Sequence, residues 1–249
     1  MIDGKRSGKR EAGSGKRKVV YCVSVALLIV ACTRDAQQTS RVQSTRTGET
    51  AAAARLPLPA SRDSASRKTI LFIGTSLTAG YGLDADSAYP QQVARMIDSA
   101  GLAYDVVNAG VSGETSSALV RRVDWLLRQP FDVVVIETGA NDGLRGIPIE
   151  TMQSNIQQIV ERIRATRPDA RIALVQMEAP PNLGRPYTER FHEVFPHVAQ
   201  SSGVTLLPFL LLDVAGKREL NQADGIHPNY LGERIVARNV WKALRPLLL

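Results

Sequence analysis

The sequence predicts an α/β domain in which one parallel β-sheet is covered by helices on both faces. Between residues 68 and 249, five short apolar runs alternate with longer amphipathic stretches, and the runs themselves are almost continuously apolar. Such alternation is typical of βαβ units, and continuously apolar strands fit a sheet that is buried on both sides. About 180 residues with five strands and no internal repeat are expected to form a single domain.

The predicted strands and helices follow one another in order. The strands are TILFI (69–73), YDVVN (104–108), DVVVIE (132–137), RIALVQ (171–176) and VTLLP (204–208). The helices cover residues 89–100, 116–128, 149–165, 188–202 and 229–247. Trp125 and Trp241 fall on the apolar sides that we assign to these helices, so we expect both rings in the core.

The residues before this domain have a different composition. The first 31 residues carry seven Lys or Arg residues but only Asp3 and Glu11, which is 7 − 2 = +5 out of a formal net charge of +7. A basic balance that sits in a polar leader, and not on a folded face, argues against nucleic-acid binding.

An apolar run, VVYCVSVALLIVAC, follows the basic leader and ends at Cys32. It is shorter than the roughly 20 residues that a membrane-spanning helix needs, and this order of regions is typical of a secretory signal peptide. Residues 29–32 resemble the lipobox of bacterial lipoproteins, in which the cysteine is acylated and becomes the mature amino terminus. We therefore expect a signal peptide over residues 1–31 and a lipid on Cys32, with an uncleaved signal anchor as the alternative.

Both alternatives place the remainder of the chain outside the cytoplasm. Thr33, and not an aspartate, follows Cys32, which resembles the outer-membrane sorting class. We expect a bacterial cell-envelope protein that a lipid anchors on the periplasmic side, at the outer membrane. Residues 33–67 are rich in Ser, Thr, Ala, Arg and Gln and predict a flexible tether between Cys32 and the domain at residues 68–249. Because Cys22 lies in the signal, no cysteine remains for a disulfide or a zinc-thiolate site.

Polar residues follow four of the predicted strands. Ser76 comes after the first strand, Gly113 after the second and Asn141 after the third, while Asp224 and His227 lie in a loop after the fifth. Because parallel strands end at the same edge of a sheet, we expect these residues to converge there.

These residue types suit acyl transfer. A serine hydroxyl is a weak nucleophile until a base takes its proton, and histidine is suited to that task near neutral pH. Asp224 lies three residues before His227, so one turn places its carboxylate against the imidazole. The backbone N–H groups of Ser76 and Gly113 and the amide of Asn141 are candidate donors to the oxyanion of a tetrahedral intermediate.

Four motifs carry a resemblance to a known family: GTSL at Ser76, NAGVSGET around Gly113, GAND at Asn141 and DGIHP from Asp224 to Pro228. They resemble the four blocks of the SGNH hydrolase superfamily, the GDSL esterases. The match extends over nearly all of residues 69–249 and is nearest to the bacterial periplasmic thioesterase, arylesterase and lysophospholipase type.

The resemblance implies a flavodoxin-like three-layer sandwich and a hydrolase without a cofactor. It makes Ser76 the nucleophile, His227 the base and Asp224 its orienting partner, with an oxyanion hole from Ser76, Gly113 and Asn141. One residue departs from the family pattern, because Thr75 replaces the aspartate of Gly-Asp-Ser-Leu. That aspartate is not the triad acid, so we expect the replacement to change the hydrogen bonds of the loop more than the chemistry.

Two further segments bear on the substrate and on metals. The segment after the fourth strand and the segment after Asn141 are expected to wall an acyl pocket with Leu144, Pro181 and Leu183. The spacing of His192 and His197 does not fit a helical zinc motif, because residues five apart lie on different sides of a helix. We expect no metal and interpret both histidines as surface or partly packed residues.

Three functions remain open from the sequence. The first is a monomeric envelope esterase that acts on lysophospholipids, aryl esters or thioesters. The second is a carbohydrate O-deacetylase of the cell envelope that uses the same triad, and the third is a catalytically weak binding lipoprotein of the same fold.

Overall fold

Five parallel strands form one sheet in the structure, a computed structural model that describes residues 67–249. Their order across the sheet is 2-1-3-4-5 in sequence numbering. They are β1 (Lys68–Gly74), β2 (Tyr104–Gly110), β3 (Val133–Ile136), β4 (Arg171–Val175) and β5 (Thr205–Leu207). Each strand lies within two residues of its predicted ends, so the predicted fold class is confirmed. The predicted signal peptide, Cys32 and the tether up to residue 66 lie outside the described residues.

Five long helices and two short ones connect the strands. They are α1 (Ser76–Ala79), α2 (Tyr89–Ser99), α3 (Ser116–Leu126), α4 (Ala140–Leu144), α5 (Ile149–Thr166), α6 (Arg185–Ser202) and α7 (Tyr230–Leu248). The short helices α1 and α4 were not predicted. Helix α6 starts earlier than predicted because Pro186 occupies its first turn, where a missing N–H group leaves no hydrogen bond unmade. Among the described residues, no helix is both long enough and apolar enough to cross a membrane.

The helices form two layers around the sheet. Right-handed crossovers and the strand order place α2 on one face and α3, α5 and α6 on the other, and α7, which follows the last strand, packs against α2. The observed packing agrees, because α2 contacts α7 while α5 contacts both α3 and α6. All four residues of β3 are buried, which explains why the central strands are apolar on both sides.

Trp125 does not lie in the core, and the prediction for it is wrong. This residue is 66% exposed, whereas Trp241 is partly buried and packs against the core. In α3 the buried residues are Ser116, Leu119, Val123 and Leu126. Trp125 lies roughly 140° around the helix from the centre of that stripe, because successive residues are about 100° apart.

Glu233 in α7 supplies the missing cap of α2. Ala88, the residue before α2, has no side chain that can accept a hydrogen bond, and the backbone N–H of Tyr89 instead donates to the Glu233 carboxylate at 2.7 Å. Glu233 is almost completely buried, and burial raises its pKa to about 8. The hydrogen bond from Tyr89 lowers the pKa, but by less than burial raises it. The packing of α7 on α2 therefore depends on the protonation of this carboxyl.

Replacing Glu233 with glutamine is expected to remove a pH dependence of stability. A carboxyl whose pKa is raised on folding contributes its full stability below about pH 4.5 and loses it as the pH rises through 8. The glutamine oxygen still accepts the Tyr89 hydrogen bond but cannot ionise. Between pH 5 and pH 9 the wild type should lose about 4 kcal/mol more free energy of unfolding than the variant, as measured by urea denaturation. Glu161→Gln, at an exposed position of α5, is the control, and equal pH profiles for all three proteins would contradict the expectation.

Candidate active site

Ser76 lies where β1 ends and α1 begins. Thr75 caps this short helix, because its hydroxyl accepts a hydrogen bond from the Leu77 amide at 3.4 Å. Gly74 leaves no room for a side chain: a Cβ atom there would lie 2.0 Å from the hydroxyl oxygen of Thr78 and 2.7 Å from a carboxylate oxygen of Glu137. The glycine therefore lets α1 lie directly against the end of β1, which places Ser76 at the carboxyl edge of the sheet.

Ser76, His227 and Asp224 lie in one chain of hydrogen bonds. The distance from Ser76 Oγ to His227 Nε2 is 2.8 Å, and the distance from His227 Nδ1 to Asp224 Oδ2 is 2.7 Å. One ring nitrogen of the histidine thus faces a hydroxyl and the other a carboxylate. An imidazole in this position can take the proton of the serine while the carboxylate stabilises the charge that forms.

The Asp224 carboxylate is held in its ionised form. His227 lowers its pKa to about 2 through the side-chain hydrogen bond, and the backbone N–H groups of His227 and Ile226 add to the effect. Both of those groups donate to Oδ1, at 3.0 and 2.9 Å, which leaves Oδ2 for the imidazole. The backbone of the turn from Asp224 to His227 therefore orients the Asp224 carboxylate toward the imidazole.

Gln222 and Tyr81 support the histidine, and sequence reasoning missed both. The side-chain amide of Gln222 donates to the carbonyls of Tyr81 and Pro228 at 2.7 and 3.0 Å, and its backbone N–H donates to the His227 carbonyl at 2.8 Å. The Tyr81 ring lies 4.7 Å from the imidazole, centroid to centroid. These contacts tie the loop of His227 to the loop after α1, so they join the two segments that carry His227 and Ser76.

Polar contacts hold in place the segments that carry the candidate oxyanion donors Gly113 and Asn141. Gly113 has a φ of +77°, a conformation that favours glycine, and the Arg145 guanidinium donates two hydrogen bonds to its carbonyl at 3.1 Å each. The amide of Asn141 donates one hydrogen bond to the Glu114 carbonyl at 3.0 Å, which leaves its second hydrogen unused there. Among residues 67–249, the backbone N–H groups of Ser76 and Gly113 have no acceptor.

Asp142 braces α4, the short helix that carries Asn141, from within the core. Its buried carboxylate accepts hydrogen bonds from the backbone N–H and the hydroxyl of Ser116, at 2.8 and 2.6 Å. Asn155 in turn donates to the same hydroxyl at 2.9 Å. Burial raises the pKa of Asp142, although the hydrogen bonds from Ser116 counteract the rise. The network joins α4 to α3 and α5 and so fixes the position of the helix that carries Asn141.

Thr75 is a donor to a buried carboxylate directly below Ser76. Its backbone N–H and its hydroxyl both donate to Glu137, at 2.7 and 2.9 Å, and Thr78 donates to the same carboxylate at 2.9 Å. Glu137 is completely buried, and burial raises its pKa. An aspartate at position 75 would place a second carboxylate here, and one of the two would have to be protonated. Threonine avoids that requirement, which gives a physical reason for the departure from Gly-Asp-Ser-Leu.

Replacing Thr75 with valine is expected to lower the free energy of unfolding by about 1–3 kcal/mol, because the variant keeps the volume but loses the hydroxyl bonds to Glu137 and Leu77. The loss should be larger at pH 8 than at pH 5. Because the pKa of Glu137 is raised on folding, its contribution to the free energy of unfolding is complete at low pH and falls as the pH rises. The Thr75 hydroxyl counteracts that fall, since its hydrogen bond stabilises the ionised carboxylate. Urea unfolding at both pH values measures the effect.

Thr166→Val is the matched control for this change, since its hydroxyl donates only to the Arg162 carbonyl at the exposed end of α5. A loss at position 75 that is identical at the two pH values would mean that the Thr75 hydroxyl acts only as a helix cap.

An apolar cavity of about 350 Å³ adjoins the site. Leu77, next to Ser76, lines it, and so do Gly225 and Ile226 between Asp224 and His227 in the chain. Of the three predicted wall residues, Leu144 and Pro181 line this cavity and Leu183 does not. Pro181 and Leu183 belong to one 3₁₀ turn, in which residues two apart point in different directions.

The two remaining histidines lie in α6, away from the hydrogen-bonded chain. Both are exposed, and the Nδ1 atom of His192 lies 2.7 Å from a carboxylate oxygen of Glu178. In the described part of the chain, no group of three or more His, Cys, Asp or Glu side chains is arranged to hold a metal ion.

The fold and the site define a hydrolase with a serine at the carboxyl edge of a parallel sheet. Comparisons with known proteins identify the family of hydrolases to which it belongs. The model of the GDSL-like lipase/acylhydrolase family matches residues 72–235. The chain belongs to this family and is an ester hydrolase of the SGNH type, as the four motifs predicted.

Named relatives cover most of the domain. The esterase TesA of Pseudomonas aeruginosa is 37% identical over 185 residues, which are 74% of this chain and 91% of that protein. The thioesterase 1/protease 1/lysophospholipase L1 of Escherichia coli K12 is also 37% identical over 185 residues, 74% of this chain and 86% of that protein. The psychrotrophic esterase EstA of Pseudoalteromonas, in a structure inhibited by monoethylphosphonate, has a TM-score of 0.69 at 36% identity and covers 73% of this chain and 98% of its own.

Proposed function

We propose that this protein cleaves carboxylic esters through an acyl-enzyme formed on Ser76. The observation that carries the proposal is the hydrogen-bonded chain from Ser76 Oγ through the His227 imidazole to the ionised Asp224 carboxylate. A serine in such a chain loses its proton to the imidazole as it attacks, which is what makes a hydroxyl nucleophilic at neutral pH.

The reaction follows from this arrangement in two halves. Ser76 Oγ attacks the carbonyl carbon of the ester while His227 Nε2 takes its proton, and Asp224 stabilises the imidazolium. The tetrahedral intermediate then breaks its bond to the alcohol oxygen, which takes the proton from His227 and leaves. Water repeats the steps on the acyl-enzyme, with His227 again as base, and releases the carboxylic acid.

The oxyanion of each intermediate is proposed to accept hydrogen bonds from the N–H groups of Ser76 and Gly113 and from the Asn141 amide. Two features support this assignment. The two backbone donors have no other acceptor in residues 67–249, and the amide has one hydrogen uncommitted. Removing one such donor typically costs about 10²–10³-fold in kcat, so the Arg145 and Asp142 contacts that hold these loops also matter for the rate.

The proposed substrates are acyl esters and thioesters with chains longer than acetyl, including lysophospholipids and aryl esters. The relatives are named as an esterase and as a thioesterase and lysophospholipase. The apolar cavity of about 350 Å³ beside Ser76 suits an acyl chain of several methylenes, and an acetyl group leaves most of it empty. This cavity favours the esterase over the carbohydrate O-deacetylase.

We also propose that a lipid on Cys32 and the tether at residues 33–67 hold the domain at the periplasmic side of the outer membrane as a monomer. The tether reaches the domain at Arg67, which pairs with Asp98 and Asp105 at 2.8 and 2.6 Å. These contacts lie at the amino end of β1, and Ser76 follows its carboxyl end. The tether therefore joins the domain at the edge of the sheet opposite to the one that carries Ser76. Loss of lipid labelling in Cys32→Ala tests the anchor.

The test of the proposed function is the hydrolysis of p-nitrophenyl esters from acetate to palmitate by the full chain, together with labelling by a fluorophosphonate. We expect turnover with a preference for medium chains over acetate, and a single labelled serine at residue 76. A sharp preference for acetate would favour the deacetylase. A folded protein that neither labels nor turns over any ester would favour the binding lipoprotein and overturn the proposal.

A further inference from the structure

One acidic residue lines the apolar cavity beside Ser76. Glu178 is the only ionisable side chain among the described residues that line it, and it follows β4. The other lining side chains that are large enough to contact an acyl chain are apolar, and they include Leu77, Leu144, Met177, Pro180, Phe209 and Ile226. The side chain of Glu178 is 34% exposed, so it is partly shielded from solvent.

Polar neighbours hold Glu178 at this wall. Its Oε1 atom lies 2.7 Å from His192 Nδ1 and 3.4 Å from the Gln176 amide. That amide also donates to the His192 carbonyl at 3.2 Å, so the cluster links the end of β4 to α6. Within residues 67–249 the second carboxylate oxygen, Oε2, accepts no hydrogen bond. His192 and Gln176 therefore position the carboxylate through one oxygen, and the other oxygen makes no hydrogen bond within the described residues.

The place of Glu178 in the cavity determines which part of a bound acyl group lies near it. The cavity that Glu178 lines is also lined by Leu77 and Ile226, which are the chain neighbours of Ser76 and His227. An acyl group bonded to Ser76 that extends into the cavity has Glu178 in its wall. In a site that is partly shielded from water, two like charges in the same cavity repel enough to change binding by about tenfold.

We propose that Glu178 is a specificity-determining residue that gives the acyl cavity a negative wall. The cavity accepts uncharged acyl groups and those that end in a hydrogen-bond donor, which Oε2 can accept, and it rejects acyl groups that end in a carboxylate. The inference rests on the proposed function and names the substrate class of the same site.

Two esters of similar length separate charge from size. The full chain is assayed with p-nitrophenyl butyrate, which has an uncharged acyl group, and with mono-p-nitrophenyl glutarate, whose acyl group ends in a carboxylate. The quantity measured is the ratio of kcat/KM for glutarate to kcat/KM for butyrate. In Glu178→Gln this ratio is expected to rise about tenfold over the wild type, mainly through KM, because the repulsion acts on binding.

Glu189→Gln is the matched control, because it removes the same charge from an exposed residue of α6 that pairs with Arg185. Its ratio should equal that of the wild type. A second variant, Glu178→Leu, removes the charge and also the hydrogen bond to His192. It should raise the ratio to a similar extent. Agreement of both position-178 variants assigns the effect to charge and not to the loss of a contact with His192.

The outcomes distinguish the two proposals. If the wild type hydrolyses butyrate but neither variant at position 178 raises the ratio, or Glu189→Gln raises it equally, the negative wall is wrong and the esterase stands. If the folded wild type hydrolyses neither ester, nor any other ester of the series, the esterase is wrong and the specificity inference fails with it.

Discussion

Replacing Ser76 with alanine is expected to reduce kcat/KM for p-nitrophenyl esters by at least about 10³-fold and to leave the fold intact. The hydroxyl is the only group of Ser76 that the change removes, and its hydrogen bond is to His227 and not to the core. In the proposed mechanism no acyl-enzyme forms without it, and the proposed oxyanion donors and substrate binding account for the remaining rate. Initial rates and fluorophosphonate labelling both report the loss.

Ser99→Ala is the control for this change. Its hydroxyl donates only to the Arg95 carbonyl at the exposed end of α2, and its removal should leave the rate unchanged. A Ser76→Ala protein that keeps more than a tenth of the wild-type rate would show that another nucleophile, or water activated directly by His227, carries the reaction.

Replacing Asp224 with asparagine is expected to lower kcat by about 10²–10⁴-fold with little change in KM. The asparagine oxygen can still accept the backbone N–H groups of Ile226 and His227, so the turn keeps its shape. Its NH₂ group then faces His227 Nδ1 and donates to it, which forces the ring proton onto Nε2. An imidazole protonated at Nε2 cannot accept the proton of Ser76, and the wrong tautomer accounts for the loss.

The pH dependence of the wild type provides an independent check on Asp224. Folding lowers its pKa from the ordinary value of 3.8 to about 2, so the stabilisation that it contributes is present above pH 3.8 and is lost as the pH falls through 2. A loss of activity between pH 4 and pH 8 should therefore not come from this carboxylate. Steady-state rates from pH 4 to pH 9 measure the profile, and Asp124→Asn, at an exposed residue that pairs with Arg162, is the control. A change of less than about threefold in Asp224→Asn at every pH would show that Asp224 does not orient the base.

The position of Thr75 illustrates how a departure from a family motif becomes understandable only in three dimensions. In the sequence, Gly-Thr-Ser-Leu in place of Gly-Asp-Ser-Leu is a change in a loop. In the structure the threonine hydroxyl donates to Glu137, a residue 62 positions further along the chain that the sequence places only at the end of a buried strand. A second buried carboxylate beside Glu137 would be costly, which explains why a hydrogen-bond donor suits position 75. The Thr75→Val variant separates donation to Glu137 from capping of α1.

The sequence by itself determined the five strands, the five long helices and the residues that meet at the carboxyl edge of the sheet. It could do so because alternating apolar periodicity reflects burial, and because parallel strands must end at the same edge. The pairing of Asp224 with His227 was also predictable, since a spacing of three residues with a glycine between them is a local constraint. The family followed from four short motifs, each of which lies at a strand end or in the loop that leads to the last helix.

Only the tertiary structure decided which polar groups are buried and what they contact. Glu233 caps a helix that begins 144 positions earlier, Gln222 ties the histidine loop to Tyr81, and Glu178 stands in the wall of an apolar cavity. The exposure of Trp125 was also decided by the tertiary structure, because its neighbour Leu126 is buried and a shift of one residue along a helix changes the side that a residue faces. These features depend on contacts between residues far apart in the chain, and on the desolvation that such contacts bring, neither of which leaves a periodic signal in a single sequence.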